Sequence, residues 1–94
     1  MTIGEFQGRI EAIYYEKGSR RGLDANFGWF VEEVGELARA LRGGDAAQLA
    51  GEFADVFAWL CTLASLSGVK LEGAVQKYAQ GCPKCGGRPC GCGS

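Results

Sequence analysis

The chain has 94 residues, enough for one small domain with a modest core, and 47% of them are hydrophobic. Its formal net charge of −1 gives no basic surface for nucleic acid. It has no histidine, which excludes His-based triads, His proton shuttles and His-ligated metals together.

The N-terminus, Met1-Thr2-Ile3-Gly4-Glu5, has no basic stretch leading into an apolar run, so no signal peptide is expected. Thr2 and Glu5 form a Thr-x-x-Glu capping box that opens a first helix. Ile3, Phe6, Ile10, Ile13 and Tyr14 recur at three- and four-residue steps and give that helix one apolar face. Lys17-Gly18-Ser19-Arg20-Arg21-Gly22 reads as its end: a basic, glycine-containing loop that either faces solvent or meets a phosphate.

Asp24 is the expected N-cap of a second helix. Phe27, Phe30, Val31, Val34, Leu37, Ala38 and Leu41 form a narrow stripe on it, the expected core face. Gly43 and Gly44 stop the helix and Asp45 caps a third, from about Ala46 to Ser67. Its stripe is Leu49, Ala50, Phe53, Val56, Phe57, Leu60 and Ala64, with Cys61 at the flank as a small buried residue. The longest apolar stretch, Val56 to Leu66, is shorter than the ~20 residues that cross a bilayer. Gly68 closes this helix, and Leu71 to Ala79 reads as a short fourth, ended by Gly81. The expected fold class is all-α, a small bundle of three to four helices over residues 1–81, with an irregular Cys-rich tail over 82–94. The expected setting is soluble and cytoplasmic, where five cysteines point to metal or burial rather than disulfides.

The second and third helices mirror each other about Gly44. Glu36 and Glu52 lie eight residues from it, Glu33 and Asp55 eleven, and Trp29 and Trp59 fifteen. In an antiparallel hairpin each residue sits beside its mate. That gathers four carboxylates on the flank of the apolar stripes, with a tryptophan on the acidic side of each helix. Acids outside a stripe ordinarily just face water. Here no lysine or arginine falls between Trp29 and Ala38, or between Leu49 and Val69, to offset them. Like charges one turn apart destabilise a helix by a few tenths of a kcal/mol each, roughly. A divalent cation resolves that repulsion, and hard oxygen ligands suit Mg²⁺ or Mn²⁺. Such a site supports phosphoryl transfer to water. A di-iron centre is disfavoured, because its helical form needs Glu-x-x-His.

Glu32-Glu33-x-x-Glu36 followed by Glu52-x-x-Asp55 resembles the signature of the MazG-like all-α nucleotide pyrophosphohydrolases, and the likeness runs from about Phe6 to Tyr78. It implies hydrolysis of a nucleoside triphosphate to the monophosphate and pyrophosphate, in nucleotide metabolism or house-cleaning. It implies metal ligation by Glu33, Glu36, Glu52 and Asp55, with Glu32 as a further ligand or as the base that orients water. Lys77 is the positional match to a phosphate-binding lysine. Trp29 either lines the base pocket or is covered by a neighbouring subunit. Relatives of this kind assemble as dimers or tetramers, so a homodimer or homotetramer is expected. Neither nucleic acid nor membrane is an expected partner. The alternative function is a non-enzymatic helical oligomerisation or interaction module with a structural zinc tail.

Cys82-Pro-Lys-Cys85-Gly-Gly is one half of a zinc knuckle, with two thiols two residues apart and glycines for the turn. The second half, Cys90-Gly-Cys92, has the less usual single spacer. These four cysteines either close around structural Zn²⁺, form a reducible tail, or dock against a partner subunit.

Overall fold

The structure is a computed structural model and describes residues 1–93. Three long helices dominate: α1 (Ile3–Arg21), α2 (Leu23–Gly43) and α3 (Ala46–Leu66). A single turn, α4 (Leu71–Ala74), runs into a 3₁₀ turn at Val75–Tyr78, and the Cys-rich tail follows. No strand occurs among the described residues. α2 and α3 form the hairpin expected about Gly44. α1 packs chiefly on α3 and only lightly on α2.

Local chemistry accounts for most boundaries. Thr2 Oγ1 accepts from the Glu5 amide at 3.0 Å and the Glu5 carboxylate accepts from the Thr2 amide at 2.8 Å, so the capping box is formed. Asp45 accepts from the Gln48 amide at 2.8 Å and caps α3 as expected.

Three expectations are corrected. First, α1 does not end before Lys17 but continues through Gly18 to Arg21. Gly18 acts as a close-contact residue: a Cβ there would lie 3.3 Å from Thr62 Cγ2. The turn comes at Gly22, whose φ of +92° is open to glycine and strained for other residues. Second, Asp24 does not cap α2. The helix starts one residue earlier, after Gly22, and Asp24 lies within its first turn, where a carboxylate still complements the helix dipole. Third, the segment Leu71 to Ala79 is not one helix. Gly73 and β-branched Val75 hold α-geometry poorly, and it tightens into 3₁₀ geometry.

The largest departure concerns the core. The buried apolar residues are few: Ile10, Ala40, Cys61 and Ala64. Much of the two stripes lies open instead. Phe27, Val31, Val34 and Leu41 on α2 are exposed, as are Phe53, Phe57 and Leu60 on α3. Two helices bury only the line along which they meet, and α1 covers just one flank of α3. The other flank has nothing over it in a single chain.

Polar brackets tie α1 to the rest. Gln7 is buried between α1, α3 and α4, donating to Ser65 Oγ at 3.0 Å and the Val69 carbonyl at 2.8 Å, and accepting from the Leu71 amide at 2.8 Å. Glu72 accepts from the Gly4 amide at 2.9 Å, placing a carboxylate at the N-terminus of α1. α3 as a whole is long and apolar enough, by length and composition, to cross a bilayer, although the run Val56 to Leu66 alone is not. It carries Glu52 and Asp55 and lies against both α1 and α2.

Candidate metal centre

The hairpin brings the acids together across its two helices. Carboxylate oxygens of Glu33, Glu52 and Asp55 lie within 4.8 Å of one another. Helical spacing explains the set: Glu52 and Asp55 are three apart on α3, so both point at the same turn of α2. Glu33 is half-buried, and its carboxyl is held above its ordinary value. Loss of solvent is the largest cause, followed by the charges of Asp55, Glu52, Glu36 and Glu32. The other four acids of the motif therefore all raise the carboxyl of Glu33.

Glu36 is the member the structure leaves out of the trio. It lies one turn beyond Glu33 and pairs with Arg39 on its own helix, the cation just outside the stretch that held none. Both side chains are well exposed, so the pair is weakly held. Glu32 is exposed on the same side of α2.

The trio passes a direct test for a hard cation. Glu52 Oε2 is buried and has no hydrogen-bond partner, alone among the buried side-chain nitrogens and oxygens of the described residues. A buried carboxylate oxygen without a donor costs about 1–3 kcal/mol or more. No ammonium or guanidinium meets it. A cation bound by all three carboxylates would supply the missing partner, and an all-oxygen donor set fits Mg²⁺ or Mn²⁺.

Trp29 and Trp59 stack at one end of the acids, with ring centroids 6.4 Å apart. Beyond them a cleft of about 230 Å³ opens between α1 and the hairpin, lined among others by Tyr14, Lys17, Arg21, Asn26, Asp55 and Trp59. Asp55 thus belongs to both the carboxylate trio and the cleft. The Arg21 guanidinium lies 5.3 Å from the centroid of the Trp59 ring, a cation–π arrangement. Asn26 is fully enclosed and fixes this corner. It donates to the Gly18 carbonyl at 2.8 Å and the Gly22 carbonyl at 2.6 Å, and accepts from Arg21 at 3.1 Å. The amide of one residue therefore closes the end of α1 and aims its last cation.

Lys77 is elsewhere. It lies in the 3₁₀ turn, exposed, with its ammonium 5.3 Å from the Tyr78 ring centroid, and it does not line the cleft. The cations that line the cleft with Asp55 are Lys17 and Arg21. Expected in a loop, they lie instead on the last turns of α1. Continued as a helix, Tyr14, Lys17, Gly18 and Arg21 fall on one face at three- and four-residue steps, which is the signal the sequence carried. Asn26, a poor helix former inside a helix, was the other.

The MazG nucleotide pyrophosphohydrolase domain is the family whose model matches the chain, over residues 21–86. The chain belongs to that family. The match takes in all five acids, both tryptophans and the start of the Cys-rich tail, and leaves Tyr14 and Lys17 of the cleft outside it. No curated protein matches the chain.

In the tail, the sulfurs of Cys82, Cys85, Cys90 and Cys92 all lie within 4.8 Å of one another, and none is in a disulfide. Cys61 is separate and enclosed within α3, and burial pushes its thiol up.

Proposed function

We propose that this MazG-family chain is a divalent-metal-dependent hydrolase converting nucleoside triphosphates to the monophosphate and pyrophosphate. The observation that carries the reading is the unpartnered Glu52 oxygen inside a carboxylate trio whose Asp55 also lines a cleft with two cations and aromatic rings. Glu33, Glu52 and Asp55 would hold Mg²⁺ or Mn²⁺, with Glu36 joining them by leaving Arg39. The ion supplies charge neutralisation on the phosphates and a more acidic water. Glu32, exposed beside the trio, is the carboxylate free to take a proton from the attacking water.

Arg21 and Lys17 are placed to meet the phosphates that project into the cleft, while Trp59 and Trp29 offer faces for a base. The cleft is smaller than the roughly 300–1,000 Å³ of pockets that enclose a drug-sized ligand. Part of a nucleotide would therefore lie outside it. A second copy over the exposed stripes would cover Phe53, Val31 and Val34. Exposed apolar side chains along two helix stripes suit an interface, so a homodimer or homotetramer is the assembly we favour.

The same open face also suits a non-enzymatic interaction module, and activity separates the two. The test is pyrophosphate release across ribo- and deoxyribonucleoside triphosphates with Mg²⁺ and with Mn²⁺, in the wild type and in Asp55→Ala. The enzyme releases pyrophosphate only with metal and only with Asp55 intact. Silence across the whole panel would sink the reading.

A further inference from the structure

We propose that Cys82, Cys85, Cys90 and Cys92 form a closed four-thiolate site for Zn²⁺, a structural clip independent of the acidic centre. The sulfur geometry carries it. Cys82 Sγ lies 3.7 Å from Cys92 Sγ, and Cys85 Sγ lies 3.9 Å from Cys90 Sγ. Zinc–sulfur bonds of about 2.3 Å in a tetrahedron place their sulfurs about 3.8 Å apart. These two edges match that figure, and all four sulfurs lie within 4.8 Å of one another.

The backbone is wound to suit the sulfurs. The Cys82 amide donates to the Gly87 carbonyl at 2.9 Å and the Gly86 amide to the Cys82 carbonyl at 2.7 Å, closing a tight knuckle. Three amides point at sulfur: Gly87 and Gly91 at Cys85 Sγ, 3.4 and 3.2 Å away, and Cys92 at Cys90 Sγ, 3.3 Å away. Donors aimed at sulfur are what a metal-bound thiolate takes as its outer shell. Gly86 adopts φ +72°, and a Cβ at Gly87 would lie 2.7 Å from the Pro89 carbonyl oxygen.

Nothing apolar accounts for this winding. Between Cys82 and Gly93 the non-cysteine residues are glycine, proline, lysine and arginine, and Cys85, Cys90 and Cys92 are exposed. A loop without a core needs a cross-link or a metal to hold it. Four thiolates around Zn²⁺ leave a net charge of −2, and Lys84 and Arg88, interleaved with the ligands, carry the two offsetting charges. The ligand set is soft, so it selects zinc where the carboxylate trio selects magnesium. Four protein ligands leave no open position, so the clip is structural.

Elemental analysis of the full chain, purified with zinc present, tests the proposal. One zinc per chain is expected, retained in Cys61→Ser and in Glu52→Gln, and lost in Cys85→Ser/Cys92→Ser. Cobalt loaded in place of zinc should show the intense visible bands of a tetrahedral thiolate site, absent in the double variant. Chelation should expose all four tail thiols to a thiol reagent without melting the helices by circular dichroism. Zinc well below one per chain, iron in its place, or zinc retained by the double variant would overturn it. Since Glu52→Gln removes the acidic centre and spares the clip, failure of either proposal is read separately.

Discussion

Trp29 and Trp59 stack across the hairpin with their ring planes 17° from parallel and centroids 6.4 Å apart. They are the outermost pair mirrored about Gly44, and the same register sets Glu33 against Glu52 and Asp55. Trp29→Ala therefore separates two roles. If its face carries the base, KM for the nucleotide rises about tenfold or more, the worth of one aromatic–base stack, with kcat nearly kept. If a second subunit covers it, sedimentation shows weaker association and KM is unmoved. Steady-state kinetics beside analytical ultracentrifugation read both.

Glu52→Gln keeps the shape of the side chain and removes the charge that the buried oxygen presents. We expect pyrophosphate release to fall about a hundredfold or more, by analogy with damage to other metal sites. Circular dichroism should be unchanged, because Glu52 makes no hydrogen bond that holds the helices together through that oxygen. Loss of helicity in parallel with activity would assign Glu52 a structural role instead.

Glu33 gives the metal-free protein a pH signature. Its carboxyl is raised from 4.5 when folded, so the folded state binds that proton more tightly than the unfolded chain. The associated stability is present at low pH and is lost as pH rises through the folded value. Glu33→Gln removes the repulsion. Without metal, the melting temperature of the variant relative to wild type should climb from near pH 4 toward neutrality. Saturating Mg²⁺ should raise wild type and not the variant. A difference independent of pH would refute this.

Asn26→Ala breaks the bracket at the end of α1. It removes two donated bonds to carbonyls and one accepted from Arg21. The enclosed site leaves the partners poorly hydrated, and a loss of about 2–3 kcal/mol is expected. For a domain of this size that is roughly 10 °C or more in melting temperature. Thermal denaturation measures it, and a shift of a degree or two would show that water replaces the amide.

Phe53→Asp probes the open face. Phe53 is 53% exposed in the single chain, so the change costs the monomer little. In a dimer built on that face it buries an unpaired charge and should drive dissociation. Light scattering across a concentration series checks this. An unchanged mass would move the interface elsewhere.

The sequence by itself determined the elements whose signals are local or periodic. The Thr2–Glu5 capping box, the Asp45 cap and the turn at Gly44 needed only neighbours along the chain, and each formed as its chemistry implies. Tertiary structure decided what depends on contact between distant residues. Gly18 looks like a helix breaker until Thr62 is found against it, and with it Lys17 and Arg21 move from a loop to the wall of a cleft. Periodicity marked the stripes of α2 and α3 as apolar, but which part is covered depends on how much surface α1 can reach. Of the mirrored acids, only three converge, because Arg39 lies within one turn of Glu36 and no such cation lies near Glu52.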